Sequence, residues 1–299
     1  MYLITGAGGG VGSVSRRVVQ LLLDGGAPVR AMVRRDDDRA DQLRAMGADV
    51  IVGDLTSAGD ILDAMDGASR MFFNMSVSPD YLLATTEVCA VALERSHLDV
   101  LVNISQMTVS QITLTSTGES KQHRLHWLAE NVLNWSDLPV IHVRPTVFLD
   151  NPLLTFLAKQ AVRDRGVLAL PFGTGRTSPI SADDVARVVA ALLRDPADRI
   201  GRVYELTGPE VLDINGLAEQ YSRALKRPIS AEDMPLDEWE CQVLAPAGLP
   251  DHVRQHTATM ARLHREGRYD RATDDVEQIT GKPAETVEQY VASNPDLFY

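Results

Sequence analysis

The chain has 299 residues, of which 44% are hydrophobic and 23% charged, and its formal net charge is −12. That is length enough for one large domain, or a domain plus a lobe, with the composition of an ordinary globular protein. The acidic balance, with no basic block, argues against a nucleic-acid surface, and no apolar run approaches the ~20 residues of a membrane span.

The first stretch, Tyr2-Leu3-Ile4-Thr5, runs into glycines at 6, 9 and 12, and a helix-period segment follows. Val11, Ser15, Val18, Val19 and Leu22 recur at spacings of three and four, which gives that helix one largely apolar face. Read as strand, turn and helix, this is the opening of a dinucleotide-binding unit. Gly6 allows the sharp turn, Gly9 lets backbone approach a pyrophosphate, and Gly12 lets the helix pack close to the sheet. The helix N-terminus then presents free N–H groups to the phosphates. The count is G-x-x-G-x-x-G, blurred by Gly8 and Gly10, so a plain glycine-rich turn in another α/β protein is the competing reading. With a strand read from Tyr2, no signal peptide is expected.

Short apolar runs then alternate with helical periods. Strands are expected at 28–34, 49–52, 70–74, 99–104 and 140–144, and helices at 38–46, 57–65, 81–95 and 121–133. This alternation predicts βα units around a parallel sheet buried on both faces, with a ligand crevice at the carboxyl ends of the strands. After Pro152 the rhythm changes. A helix over 153–162 leads to a strand at 167–170 and a Gly/Pro/Thr-rich loop. Ser181 or Asp183 caps a helix to Leu193, 203–206 is a strand, and Asp213 caps a helix to Leu225. The remainder reads as mostly helical, broken at Pro235, Pro246, Pro250 and Gly267. The expected fold is α/β, a Rossmann-type doubly wound parallel sheet with a smaller, mainly helical C-terminal lobe. Residues 1–150 form the nucleotide-binding core and 151–299 mostly the substrate lobe, with about 177–206 returning to the core.

Cys89 and Cys241 lie far apart without a C-x-x-C. Cys89, in a helical pattern, reads as a small buried hydrophobe, and a reducing cytoplasm is expected. His252 and His256 stand at i, i+4 spacing without an evident third ligand, so a solvated helix face is expected and no metal. At the end of the second strand, where an NAD site usually has an acid meeting the ribose, stand Arg34 and Arg35. A guanidinium there suits the 2′-phosphate of NADP. The competing reading pairs these arginines with Asp36, Asp37 or Asp38. Asp54, after the third strand, either meets the adenine edge or caps its own turn.

With these residues in hand, the chain resembles the NmrA-like, atypical short-chain dehydrogenase/reductase family. The matching pieces are Ile4-Thr5-Gly6-Ala7 with the glycine spacing, Val29 to Arg34, Gly53-Asp54-Leu55 and Val143-Arg144-Pro145-Thr146. Pro179 to Ala186 and Tyr204 to Pro209 also fit. Within the family it looks most like the triphenylmethane reductase and short-chain quinone reductase branch. The resemblance implies an NADP(H) site made by Thr5, Gly6, Gly9, Gly10, Val11, Gly12, Arg34, Asp54, Leu55, Asn74 and Ser76, with Ser105, His126, Pro145, Thr146 and Val147. It also implies a small-molecule substrate in a cleft between the lobes; the sequence leaves a monomer and a homodimer both open.

Extended short-chain enzymes carry Tyr-x-x-x-Lys, with Glu four residues past the lysine, on the helix after the fifth strand. Taking Glu130 as that glutamate puts His126 at the lysine position and Gln122 at the tyrosine position. Glutamine has no proton to exchange as a tyrosine does, so the usual ketone/alcohol chemistry is in doubt. His126, Gln122 and Ser105 are the candidate catalytic residues. His126 either bonds the nicotinamide ribose, donates a proton, or sits on the helix surface. Trp127 reads as packing and Lys121 as a solvated charge. The expected function is an NADPH-dependent reductase delivering hydride to a quinone, dye-like or other conjugated acceptor. The alternative is an NADP(H)-sensing regulatory protein without turnover.

Overall fold

A computed structural model describes residues 1–9, 13–95 and 97–298. Seven strands form one parallel sheet: β1 (Tyr2–Ile4), β2 (Val29–Val33), β3 (Asp49–Val52), β4 (Arg70–Phe73), β5 (Val100–Ile104), β6 (Val140–Pro145) and β8 (Val203–Leu206). Their order is β3-β2-β1-β4-β5-β6-β8. The order reverses between β1 and β4, the topological switch point, and ligand crevices in such sheets lie beyond the strand ends there.

Burial on both faces explains the continuous apolar strands. Ile4, Phe72, Val100, Val102, Ile141 and Val143 belong to one hydrophobic cluster. Their neighbours Leu3, Met71, Phe73, Leu101 and Val140 belong to another on the opposite face, as the two-residue period of a strand requires. The first face is covered by α1 (Val14–Asp24) and α7 (Ala182–Arg194), which pack on each other. The second is covered by α3 (Ala58–Met65), α4 (Tyr81–Arg95) and α5 (Lys121–Trp135). The α1 face buries Val14, Ser15, Val18, Val19 and Leu22; Val11, expected on it, lies outside the described residues. Local capping fixes the helix starts. Ser57, Ser120, Ser181 and Asp213 each accept from a first-turn backbone N–H, and of the two caps weighed for α7 it is Ser181 that acts.

A third cluster, running from Val147 to Phe298, forms the C-terminal lobe. Two expectations change here. The helix expected at 153–162 is a series of turns with a short α6 at Lys159–Arg165; Asn151 turns the chain first, its carboxamide accepting from Leu153 N–H. The region expected to be helical after Leu225 also contains a strand, β9 (Ser230–Asp233), paired in parallel with β7 (Val167–Leu170). Its sequence, Ser-Ala-Glu-Asp, has no β-branched or aromatic residue, so the pairing is imposed by tertiary packing. After α8 (Ile214–Leu225), β9 and the short α9 (Leu236–Trp239), α10 (Asp251–Arg265) crosses back to touch α5. Among the described residues, no helix is long and apolar enough to cross a membrane.

Candidate functional site

Two adjoining cavities lie at the switch point. The inner one, about 330 Å³, runs between the ends of β5 and β6, α5 and α10. The outer one, about 530 Å³, runs over the ends of β2 and β3. They share Gly6, Gly9, Asn74, Met75, Ser76 and Val77, so together they make one groove across the strand ends.

The seam is set by the first turn. Gly6 has φ +70°, and a Cβ there would stand 2.7 Å from the Asn74 carbonyl oxygen, so only glycine lets β1 turn this close to β4. Gly9, at φ +103°, opens onto both cavities. Ser13 and Val14 at the start of α1 line the inner cavity, which brings that helix N-terminus to the groove. Thr5 supports this turn from behind. Its hydroxyl donates to Asn74 O at 2.8 Å and accepts from Asn74 N–H at 2.9 Å. It is fully buried, lines neither cavity and ties β1 to β4. Asn74 in turn donates from Nδ2 to Ser15 Oγ at 2.8 Å, fastening the loop to α1. Gly10, Val11 and Gly12 lie outside the described residues.

The outer cavity is ionic. It is lined by Arg34, Arg35, Asp37, Arg39, Asp54 and Leu55, among others. Arg34 pairs with Asp54 at 3.0 Å and not with the acids that follow it. The Asp54 carboxylate also accepts from Thr56 N–H and Oγ1. These bonds, the Thr56 N–H foremost, hold it below the usual carboxylate range. Asp54 therefore acts as the cap of its turn and the partner of Arg34. Arg39, which the sequence reading passed over, is gripped by Asp37, the N-cap of α2 (Asp38–Ala45). The Arg39 hydrogen bond draws Asp37 down to about 2. The Arg39 Cδ stands 3.5 Å from where a Gly9 Cβ would be, beside the glycine turn.

The inner cavity is built from distant segments. Ser105 follows β5, Pro145, Thr146 and Val147 end β6, and His126 projects from α5. Val253, His256, Thr257 and Met260, at i, i+3, i+4 and i+7, form one wall from a single face of α10, and Tyr269 closes the end. The helical period of 253–260 was visible in the sequence, but nothing there told which helix it would face.

His126 is buried, not on the helix surface. Its protonation follows from its neighbours. The Ser78 N–H, which can only donate, meets Gln122 Oε1 at 3.2 Å. The Gln122 Nε2 is thereby turned to His126 Nε2 at 3.1 Å, and that ring nitrogen must accept. The proton is thus on Nδ1, which has no protein partner. Burial, helped slightly by His256, pushes the ring's pKa down to about 3. Tyr81 packs against the same ring at 4.2 Å. His256 is buried as well, a correction to the solvated face expected for it, and burial lowers it to about 4. Its Nδ1 and that of His123 both bond Ser120 Oγ at 2.8 Å, joining α10 to the N-terminus of α5. Among the described residues no cluster could hold a metal. Trp127 lies under the Arg124 guanidinium and Lys121 is exposed; neither lines a cavity. Glu130 is buried in a two-pronged ion pair with Arg144.

A dinucleotide fits this donor set. Ser105 Oγ, Thr146 Oγ1 and His126 Nδ1 are buried polar atoms without protein partners in residues lining the inner cavity, and glycine backbone and a helix N-terminus meet at the seam. The NAD(P)H-binding family matches the chain over residues 9–196. The chain belongs to that family. An NAD(P)H azoreductase of Xenophilus azovorans is 26% identical over 97% of both chains. The fold is shared with an NADPH-dependent quinone oxidoreductase of Escherichia coli solved with NADPH, at TM-score 0.84, 20% identity, and 98% and 99% coverage of the two chains. It is also shared with NmrA, a negative transcriptional regulator solved with NADP, at TM-score 0.79, 16% identity, and 97% and 94% coverage. The NmrA-like resemblance read from the sequence agrees with these matches.

Proposed function

We propose that the protein is an NADPH-dependent reductase that passes hydride to a quinone, dye-like or other conjugated small molecule without a Tyr-x-x-x-Lys pair. The observation that carries this reading is the division of the groove. Its outer half holds arginines suited to a phosphate, and its inner half is a largely apolar chamber with a few free hydrogen-bonding groups. The azoreductase and quinone oxidoreductase relatives support it.

The nicotinamide, when bound, supplies the hydride. The chain's own residues position and exclude water. Ser105, Thr146 and His126 line the inner half, where they would hold the nicotinamide end of the dinucleotide. His126 offers a hydrogen bond from Nδ1–H as a neutral ring. With a pKa near 3 it is not an imidazolium acid at neutral pH, and the anion left by hydride transfer takes up its proton once it reaches solvent. Gln122 fixes the ring tautomer through its bonds to Ser78 and His126. The α10 wall would exclude water from that half.

Incubating the protein with NADPH and a panel of quinones and azo or cationic dyes should consume NADPH, read from cofactor absorbance. At saturating acceptor the rate should show no ionisation near ~6.5, the ordinary histidine value, that His126→Ala removes. The rival reading, a regulatory protein that senses NADP(H), draws on Gln122 at the tyrosine position and on the fold shared with NmrA. Tight NADPH binding with no consumption across the panel would establish that rival and end the reductase reading.

A further inference from the structure

Among the described residues lining the inner cavity, none is Asp, Glu, Lys or Arg. The two histidines in the wall, His126 and His256, are held neutral by burial, and burial raises the Tyr269 phenol well above its ordinary value. The other polar lining residues are neutral hydroxyls and carboxamides, and three buried groups, the Ser105 and Thr146 hydroxyls and the His126 Nδ1–H, have no protein partner. Met75, Val77, Phe148, Val253 and Met260 supply much of the remaining wall. The molecule as a whole carries −12, yet no unit charge faces this chamber.

We propose that the inner cavity selects an uncharged conjugated acceptor bearing carbonyl oxygen and rejects anionic and cationic analogues alike; this rests on the reductase reading above. An ion moved into such a chamber gives up its hydration and meets no counter-ion, which costs heavily. A neutral carbonyl loses much less and finds a donor in whichever of Ser105, Thr146 and His126 the dinucleotide leaves free. Long-range attraction works the other way for cations, because the net charge of the protein draws them in. Rejection of both signs is therefore a property of the cavity and not of the surface. Salt separates the two, since ~1 M salt screens charges beyond ~3 Å but leaves desolvation in place.

The test uses three matched acceptors with the whole protein and NADPH: a naphthoquinone, the same ring carrying a sulfonate, and the same ring carrying a trimethylammonium group. Both substituents withdraw electrons, so intrinsic reactivity favours the charged pair. The parent should nevertheless have a kcat/KM higher by roughly 10²-fold or more than either, in low salt and in ~1 M salt. Val253→Lys, at a half-buried position of the α10 wall, should narrow the gap for the sulfonate and widen it for the ammonium. Comparable kcat/KM values, a gap that closes in high salt, or a Val253→Lys effect equal for both ions would overturn the inference while leaving the reductase reading intact. If no acceptor consumes NADPH, the reductase reading fails and calorimetry on the protein loaded with NADP⁺ decides the cavity's preference. Binding of the parent alone supports it, and equal binding or none overturns it.

Discussion

The two halves of the groove are built on opposite principles. The outer half is ionic, solvent-facing and local: Arg34, Asp37, Arg39 and Asp54 all lie within about two turns of chain after β2 or β3. Among the described residues the inner half has no charged lining residue, and it is assembled from the β1–α1 turn, the ends of β4, β5 and β6, α5, α10 and the segment after it, so that its lining spans Gly6 to Tyr269. Charges at an exposed rim contribute modest energy and much selectivity, because water and salt screen them. Neutral polar groups in a buried chamber contribute more per bond, and an unpaired one is costly. The outer half is thus suited to choosing a cofactor and the inner half to holding a reacting pair.

Acid should separate the halves most strongly. His123, His126, His256 and His264 are buried and neutral, each with its pKa lowered chiefly by burial. In the unfolded chain they titrate near 6.5. Between ~6.5 and the lowered values the unfolded state binds more protons than the folded one, so stability falls as pH falls, by about 1.4 kcal/mol per pH unit for each such group. Urea midpoints should drop steeply from pH 6.5 to 4.5. The outer half should hold its charge through that range, because Asp37 is drawn down to about 2. A midpoint unchanged between pH 7 and 5 would show that the inner histidines are not held neutral.

Behind the inner half, Glu130 and Arg144 form a buried pair, with side chains only 5% and 17% exposed. Removing one member of such a pair leaves the other charge stranded, at about 3–5 kcal/mol. Glu130→Ala should cost stability near the lower end, because Arg144 keeps Glu205 at 3.9 Å. Denaturant titration reads this directly. A loss below ~1 kcal/mol would mean that Glu205 takes over the pair entirely.

Gly9 belongs to both halves. A Gly9→Val variant forces a branched side chain onto a backbone at φ +103° and points it into the groove. Cofactor affinity should fall by at least ~10²-fold, since both strain and occupied space oppose binding. Calorimetric binding at wild-type strength would remove the seam from the dinucleotide path.

The contrast between the halves also explains what the sequence disclosed. The sheet was legible because each strand and helix carries its own period, and the caps at Ser57, Ser181 and Asp213 mark their helices locally. The outer half was legible for the same reason, except that Arg39 sits behind three consecutive acids and reads as one more surface charge. The inner half was legible only where the resemblance supplied positions, such as Ser105 and His126. The wall of α10 was not, because its partner is more than a hundred residues away and no periodicity encodes that distance. His256 was misread for that reason: an i, i+4 histidine pair on a polar helix looks solvated until α5 is laid against it.

The smallest expected effect lies at the rim and tests which arginine selects the cofactor. Arg34 is 71% exposed in its side chain, and Asp54 already takes part of its charge. Arg39 is held by Asp37 beside the glycine turn and lines the same cavity. A guanidinium fixed in place loses less freedom when it meets a phosphate than one free in solvent. Arg39→Ala should therefore weaken NADPH binding by roughly 10–100-fold, the scale of a charge-assisted hydrogen bond, and leave NADH affinity nearly unchanged. Arg34→Ala should weaken NADPH by less, and removing Arg34 together with Asp54 should weaken it no further than Arg34→Ala alone. Fluorescence titration of both cofactors against the three variants ranks the residues. If Arg34→Ala has the larger effect, the exposed arginine at the end of β2 is the phosphate clamp and Arg39 only caps its own helix. Equal NADPH and NADH affinities in the unmodified protein would instead remove phosphate selection from this rim altogether.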